Sequence, residues 1–344
     1  MRKRIVTAIL LPSVILLLSL TGCRKELCYD HDKHGLNVSL FVKAGWDLSW
    51  LRDSTFLELL EERYSIWEKG GMASMLDRMK VHPGEGIACV SYHESGTVNT
   101  THIDSTGGLV RLQEGLQDIL FYNNDTEYII FDGLNSYVEA TASTRTRTRA
   151  SYNSTHEDET TVNSPDMLFR AWVSQYDGVV SARPDSISIT LEPLVYKYLV
   201  IFEVTEGIEM ISSARGALSG MASKVYLQDG HTGDETATVL FDESHSFIHD
   251  PFILAVVSTF GAPGHNRGNT YDPGDHTFGL NLEIMLESGK AFSANYDVTE
   301  QISLQPCGGI IAIPGIEITD NGGGGFFEVS VDDWENEENI ELPL

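Results

Sequence analysis

The feature that most restricts this chain is a succession of short apolar runs, several with a period of two, cut by clusters of Gly, Asn and Asp. Leu36, Val38, Leu40 and Val42 alternate with Asn37, Ser39, Phe41 and Lys43, the pattern of a half-buried strand. The same alternation runs through Ile187, Ile189 and Leu191, through Leu280, Leu282, Ile284 and Leu286, and through Phe327, Val329 and Val331. Denser runs at 119–122, 128–131, 198–204 and 252–257 leave no polar face, so they are predicted as central strands buried on both sides. Turn chemistry separates these runs: Asn123-Asn124-Asp125, Asp132-Gly133, Gly261-Ala262-Pro263-Gly264 and Asp272-Pro273-Gly274. The fold expected is all-β, built from β-sandwiches. At about 100–200 residues per domain, 344 residues make two modules. The expected division is an N-terminal sandwich over 36–142, an inter-domain linker or edge segment over 143–184, and a C-terminal sandwich with an acidic tail over 185–344.

One stretch breaks the pattern. Thr55 and Glu58 form a capping box, after which Phe56, Leu59, Leu60, Tyr64 and Trp67 fall on one helical face and Gly70 takes the C′ position. A short helix inserted in the first sandwich is expected there, packed on a sheet edge or one end of the sandwich. A partner-binding helix is the alternative.

The N-terminus carries its own signal. Residues 1–22 open with Arg2, Lys3 and Arg4, continue through an apolar run from Ile5 to Leu20 interrupted by Pro12, and end at Thr21-Gly22 before Cys23. The run is short for a membrane span, and a basic start, apolar core and small residues before a cysteine resemble a bacterial lipoprotein signal. Cys23 is then the acylated first residue of the mature chain, and 23–35 its tether. Several acyl chains hold a protein on a bilayer durably, at about 0.8 kcal/mol per buried methylene. The localisation expected is the cell outer membrane, lipid-anchored and surface-exposed.

Charge narrows the partners. The chain holds 23 bases and 50 acids, a net charge of −27, and loses three bases and no acid with the first 22 residues. A phosphate backbone repels such a surface, so nucleic acid is excluded as a partner. Beyond Cys23, the cysteines are Cys28, Cys89 and Cys307, enough for one bridge with three possible pairings.

Catalytic and metal patterns are weak throughout. Asp30, Asp32 and Gly35 match positions 1, 3 and 6 of a calcium loop, but Phe41 stands where the bidentate Glu belongs, and the segment reads as a solvated tether with His31 and His34. The remaining histidines have no paired ligand spacing. Gly216-Ala217-Leu218-Ser219-Gly220 places its serine fourth rather than third, so a small-residue strand is expected instead of a nucleophile elbow. No catalytic residue, metal site or cofactor is expected, and the chain is read as a non-enzyme. Arg145, Arg147 and Arg149 alternate in an otherwise acidic chain. They are expected to mark a solvated edge strand whose charges discourage pairing, with a protease site or docking strip as alternatives. After the glycine run 322–325, an ordinary final strand is expected.

Several sequence words resemble the fimbrillin-like lipoproteins of Bacteroides-type bacteria, which include minor-fimbrium anchor and accessory subunits. They are Cys23 followed by Glu26-Leu-Cys-Tyr-Asp-His-Asp32, then Leu116-Gln-Asp-Ile-Leu-Phe-Tyr-Asn-Asn124, Pro165-Asp-Met-Leu-Phe169, Leu191-Glu-Pro-Leu-Val-Tyr-Lys-Tyr-Leu-Val200 and Ala214-Arg-Gly-Ala-Leu-Ser-Gly-Met-Ala222. The resemblance implies two Greek-key sandwiches of transthyretin-like topology, tethered to the outer membrane. It also implies an anchor, accessory or tip role in fimbriae and cell adhesion, with contacts made by adding a β-strand to another subunit's sheet. The alternative function is a tethered glycan- or host-binding module. In that case Trp46, Trp50, Trp67 or Trp334 would stack on sugar rings, against the default of core packing.

Overall fold

The computed structural model describes residues 38–48, 78–149, 156, 158–242, 246–249, 251–266, 269–329 and 337–338. Cys23, Cys28, the 30–35 segment, the segment 55–70 expected as a helix, Trp50, Trp67 and Trp334 lie outside the described residues. Within the described residues the chain is nearly all β, with one short α-helix and a 3-10 turn at Ile208–Met210 among the named elements, as the strand pattern requires.

Seven strands form a closed barrel: β1 (Val38–Trp46), β2 (Gly86–His93), β3 (Val98–Asp104), β4 (Gly107–Leu112), β5 (Gly115–Asn123), β10 (Phe169–Gly178) and β11 (Asp185–Pro193). Their order around the barrel is β1-β11-β10-β5-β2-β3-β4. β1 makes the closure. It pairs antiparallel with β4 from Val38↔Leu112 to Lys43↔Gly107, and parallel with β11 from Leu40↔Asp185 to Trp46↔Leu191. Gly107 permits this approach: its φ is 111°, and a Cβ there would sit 2.0 Å from the Val42 carbonyl oxygen. Alternation does the rest. Leu40, Val42, Ile87, Cys89, Ile119, Phe121, Phe169 and Leu191 fill the interior.

The other faces of β2 and β5 are also buried, but against different elements. Ala88, Val90, Tyr92, Leu120 and Tyr122 pack on a second core with Ala140, Ala142, Leu168, Leu194, Val225, Leu227 and Phe260. This core is roofed by a three-stranded sheet of β6 (Ile129–Asp132), β7 (Thr141–Thr144) and β14 (Lys224–Tyr226), in the order β14-β7-β6. A buried layer joins barrel and second module. Polar contacts reinforce it: Arg170 donates to the carbonyls of Gln228 (3.0 Å) and Asp229 (2.8 Å), and the Leu227 amide donates to Ala140.

The second module is a two-layer sandwich. One sheet runs β16-β17-β12-β20, from β12 (Tyr196–Glu206), β16 (Ser246–His249), β17 (Phe252–Thr259) and β20 (Gly309–Glu317). The other runs β21-β19-β18-β13-β15-β9, from β9 (Thr160–Asn163), β13 (Ile211–Ala222), β15 (Thr236–Phe241), β18 (Gly279–Leu286), β19 (Ala291–Asp297) and β21 (Phe327–Val329). Tyr198, Val200, Phe202, Ile253, Ala255 and Ile311 from one sheet meet Ala214, Leu218, Leu280, Leu282, Ile284 and Phe292 from the other. Gly216 is fixed by this packing. A Cβ there would lie 2.1 Å from the Asn281 carbonyl oxygen and 2.4 Å from the Phe241 ring. Helix α1 (Thr299–Leu304) lies beside β20, and the two-residue strands β8 (Thr148–Arg149) and β22 (Glu337–Glu338) pair with each other.

Several expectations are corrected. The first module is a closed barrel, because β1 bonds on both of its edges. The module boundaries also move. β10 and β11, assigned to the linker segment 143–184 and to the C-terminal module, are barrel strands, since Phe169, Ala171, Ile189 and Leu191 face the barrel core. β9 joins the second module's sheet, in parallel with β15. The run 128–131 is a half-buried edge strand, β6, rather than a central one. Phe327 points outward at 62 % exposure, while Phe326 packs on the sandwich core, so the last strand is one residue out of the expected phase.

Candidate interaction surfaces

The region expected as a charged edge is a hydroxyl-lined cleft. β7 and β14 on one side and β9 and β15 on the other enclose about 540 Å³. Thr141, Ser143, Thr146, Thr160, Ser223 and Thr236 line it with hydroxyl groups, which both donate and accept. Lys224 Nζ meets Glu235 Oε2 at 3.0 Å in its wall, and that hydrogen bond raises the lysine pKa. Asp132 adds a second carboxylate. Such a lining suits a neutral, polyhydroxylated ligand better than an anion, since carboxylates outnumber the single ammonium group.

Arg147 of this segment is structural. Arg147 is 8 % exposed and pairs with Asp242 at 3.2 Å. Its amide donates to the Thr161 carbonyl, and the Asn163 amide donates to Arg145, so the backbone of 145–147 lies along the outer edge of β9. Burial requires a charge partner for a guanidinium, and Asp242 supplies it. At Arg147, therefore, the segment is no solvated edge.

A second cleft, of about 790 Å³, opens at one end of the sandwich. Val204, Ile208, Met210, Ile248 and Ile318 give it an apolar floor, with Glu206 and Glu209 among its lining.

Trp46 does not stand free as a stacking platform. Its ring meets Phe169 edge-on at a centroid distance of 5.1 Å, and its indole N–H donates to the Ser105 carbonyl at 2.9 Å. A group that sequence reasoning missed is Tyr92, Tyr137 and Trp172, with ring centroids 5.3–6.4 Å apart. The signal available was the phase of β10: Phe169 and Ala171 face the barrel interior, which sends Arg170 and Trp172 to the opposite face. The Tyr92 hydroxyl is buried with no hydrogen-bond partner, and burial raises its pKa. On the outer face of the barrel Phe41 (43 % exposed) and Leu109 (48 %) are cross-strand partners.

The remaining candidates are placed as follows. Ser219 is buried in β13 and donates to the Gly279 carbonyl, so the glycine-flanked serine is a strand residue. Cys89 lies inside the barrel, where burial pushes its thiol up to about 12, and it is not joined to Cys307. Two polar pairs lie buried in the six-stranded sheet. Arg215 Nε donates to Glu283 Oε2 at 2.7 Å across β13 and β18, both side chains 2 % exposed. Asn281 Nδ2 donates to Ser293 Oγ at 2.8 Å. Lys197 extends from β12 to donate to the carbonyls of Arg78 (2.6 Å) and Lys80 (2.9 Å), and burial lowers its pKa to about 8. No helix among the described residues is long and apolar enough to cross a membrane.

Residues 77–242 match the family described as "Domain of unknown function (DUF5119)". No curated protein matches the chain. Among solved structures, a protein of Bacteroides ovatus described as a "putative adhesin" is 17 % identical, with a TM-score of 0.58 over 84 % of this chain and 95 % of that one. The fimbrial anchor protein Mfa2 of Porphyromonas gingivalis is more distant, 10 % identical with a TM-score of 0.42 over 80 % of this chain and 89 % of that one. The likeness to the Bacteroides ovatus protein is one of fold. Residues 77–242 are thus similar to that domain family, and the β fold of the chain is similar to that of the Bacteroides ovatus protein.

Proposed function

We propose that this protein is a non-enzymatic surface subunit of the adhesin or fimbrial type. It is held in the outer membrane through acylated Cys23 and acts through protein–protein contacts, including strand addition to neighbouring subunits. The Greek-key, transthyretin-like connectivity implied by the sequence words belongs to the same reading. The observation that carries it is the fold match spanning 84 % of this chain and 95 % of the Bacteroides ovatus protein. The shared core beneath β6, β7 and β14 supports it as well. A bracket that transmits load between a membrane and a partner works better as joined modules than as beads on a linker.

The test is purification from native membranes under mild detergent, followed by mass spectrometry of the N-terminus and of co-purifying chains. An acylated Cys23 and a stoichiometric β-rich partner are expected. An unmodified Cys23, or a strictly monomeric protein, overturns the reading.

The hydroxyl-lined cleft favours a second reading, a tethered module that binds neutral glycans. A glycan array separates the two. Binding abolished by Thr160→Val with Ser223→Ala supports the second, and a flat array removes it.

A further inference from the structure

β20 is the outer strand of the four-stranded sheet, and its inner edge pairs in parallel with β12. An edge strand normally leaves a row of amides and carbonyls open to another chain. Here the row is occupied by side chains. Gln301 Oε1 accepts from the Ala312 amide at 2.8 Å, and its Nε2 donates to the Ala312 carbonyl at 3.1 Å. Gln305 repeats the arrangement one step along: Oε1 accepts from the Ile310 amide at 2.8 Å, and Nε2 donates to the Ile310 carbonyl at 2.9 Å. The carboxamide carries the same donor and acceptor as a peptide group, so each glutamine reproduces the contacts of one residue in a neighbouring strand.

The spacing explains why a helix can do this. Four residues along an α-helix advance about 6 Å. Two residues along a strand advance about 6.6 Å. Glutamines at i and i+4 therefore fall opposite strand residues at j and j−2, here 312 and 310. The next outward-facing position is Pro314, which has no amide to offer. Ile302 is fully buried in the sandwich core and anchors the helix, while Thr299 Oγ1 accepts from the Phe278 amide.

We infer that α1 is an edge seal: Gln301 and Gln305, together with Pro314, close β20 against strand addition by other chains, including a second copy of this one. The inference does not depend on the fimbrial reading, because it concerns which edge is closed and not which partner binds elsewhere.

The test compares the wild-type chain with Gln301→Ala/Gln305→Ala, by residue-resolved hydrogen exchange and by sedimentation over a range of concentrations. In the double variant the Ile310 and Ala312 amides are expected to exchange roughly fivefold to tenfold faster. Ile311 and Ile313 should stay protected by β12. The variant should also self-associate as concentration rises, and adding Ala312→Pro should reverse this. Unchanged exchange at Ile310 and Ala312 overturns the inference, and so does faster exchange with no self-association. Should the double variant lose protection at Ile311 and Ile313 as well, the single Gln301→Ala change decides: faster exchange confined to Ala312 supports the seal, and none refutes it.

Discussion

Leu227 tests whether barrel and sandwich are one cooperative unit. Its side chain is fully buried in the core that also holds Val90, Leu120 and Tyr122 from the barrel and Phe260 from the loop after β17. Leu227→Ala removes most of a buried side chain from a site enclosed on several sides, which leaves little room for collapse. The cost falls in the range of ~2–5 kcal/mol for such changes. At a urea m-value of ~3 kcal/mol/M or more, the midpoint falls by roughly 1 M. Each module has a probe. Cys89, buried in the barrel with its thiol pushed up to about 12, reacts with a pulse of alkylating reagent only when the barrel opens. Exchange of the β12 and β17 amides reports the sandwich. In a background where Cys28 and Cys307 are serine, both probes should move by the same free energy. If Leu227→Ala shifts the sandwich transition and leaves the Cys89 midpoint in place, the modules unfold separately and the shared core does not couple them.

Three further outcomes follow from the same coordinates. Glu283→Gln takes the carboxylate from a guanidinium that is 2 % exposed and should cost ~3–5 kcal/mol in chemical denaturation, whereas replacing Arg215 and Glu283 together by Met should cost much less. Gly216→Ala forces a methyl onto the Asn281 carbonyl and the Phe241 ring and should lower stability by ~1–3 kcal/mol, read as a fall in Tm. Lys197 has a folded pKa of about 8, below the 10.5 of a free lysine, so the unfolded chain binds more protons between those values and stability contributed by this group rises with pH across that window. The difference in Tm between wild type and Lys197→Met should therefore move in favour of wild type from pH 8 to 10, and a constant difference would refute the assignment.

Strands whose fate is set by local alternation were legible in the sequence. Val38, Leu40 and Val42 turn inward in β1, and the runs 119–122, 198–204 and 252–257 are buried on both faces. Their partners were not legible. Period two says which residues share a face, but not that β1 would pair with β4 and β11 at once and close a barrel. The placement of 143–184 failed for a related reason. Alternating arginines in a sequence read as exposed charges, yet Arg147 is buried because Asp242, 95 residues away, meets it. The cleft was visible in part, since Thr141, Ser143, Thr144, Thr146 and Thr148 crowd one short segment. Gln301 and Gln305 carried no signal at all, because a polar pair at helical spacing reads as solvent-facing until the edge beside it is known.

Among the described strands, three edges are closed by three different physical devices. The barrel removes its edges by closure, with β1 hydrogen-bonded on both sides. The outer edge of β9 is taken by the backbone of 145–147, held down by the Arg147–Asp242 pair. β20 is taken by two side-chain amides and a proline. Each device answers the same hazard, since an open edge is a template for uncontrolled pairing. At these three edges strand addition is therefore constrained. A partner strand cannot simply dock on the barrel, β9 or β20; it must displace a segment already bonded there. Displacement breaks as many hydrogen bonds as it makes, so its free energy rests on the side chains exchanged rather than on the backbone ladder. Selectivity follows from that. An incoming strand must match the apolar phase of the segment it replaces, and a strand of the wrong register gains nothing.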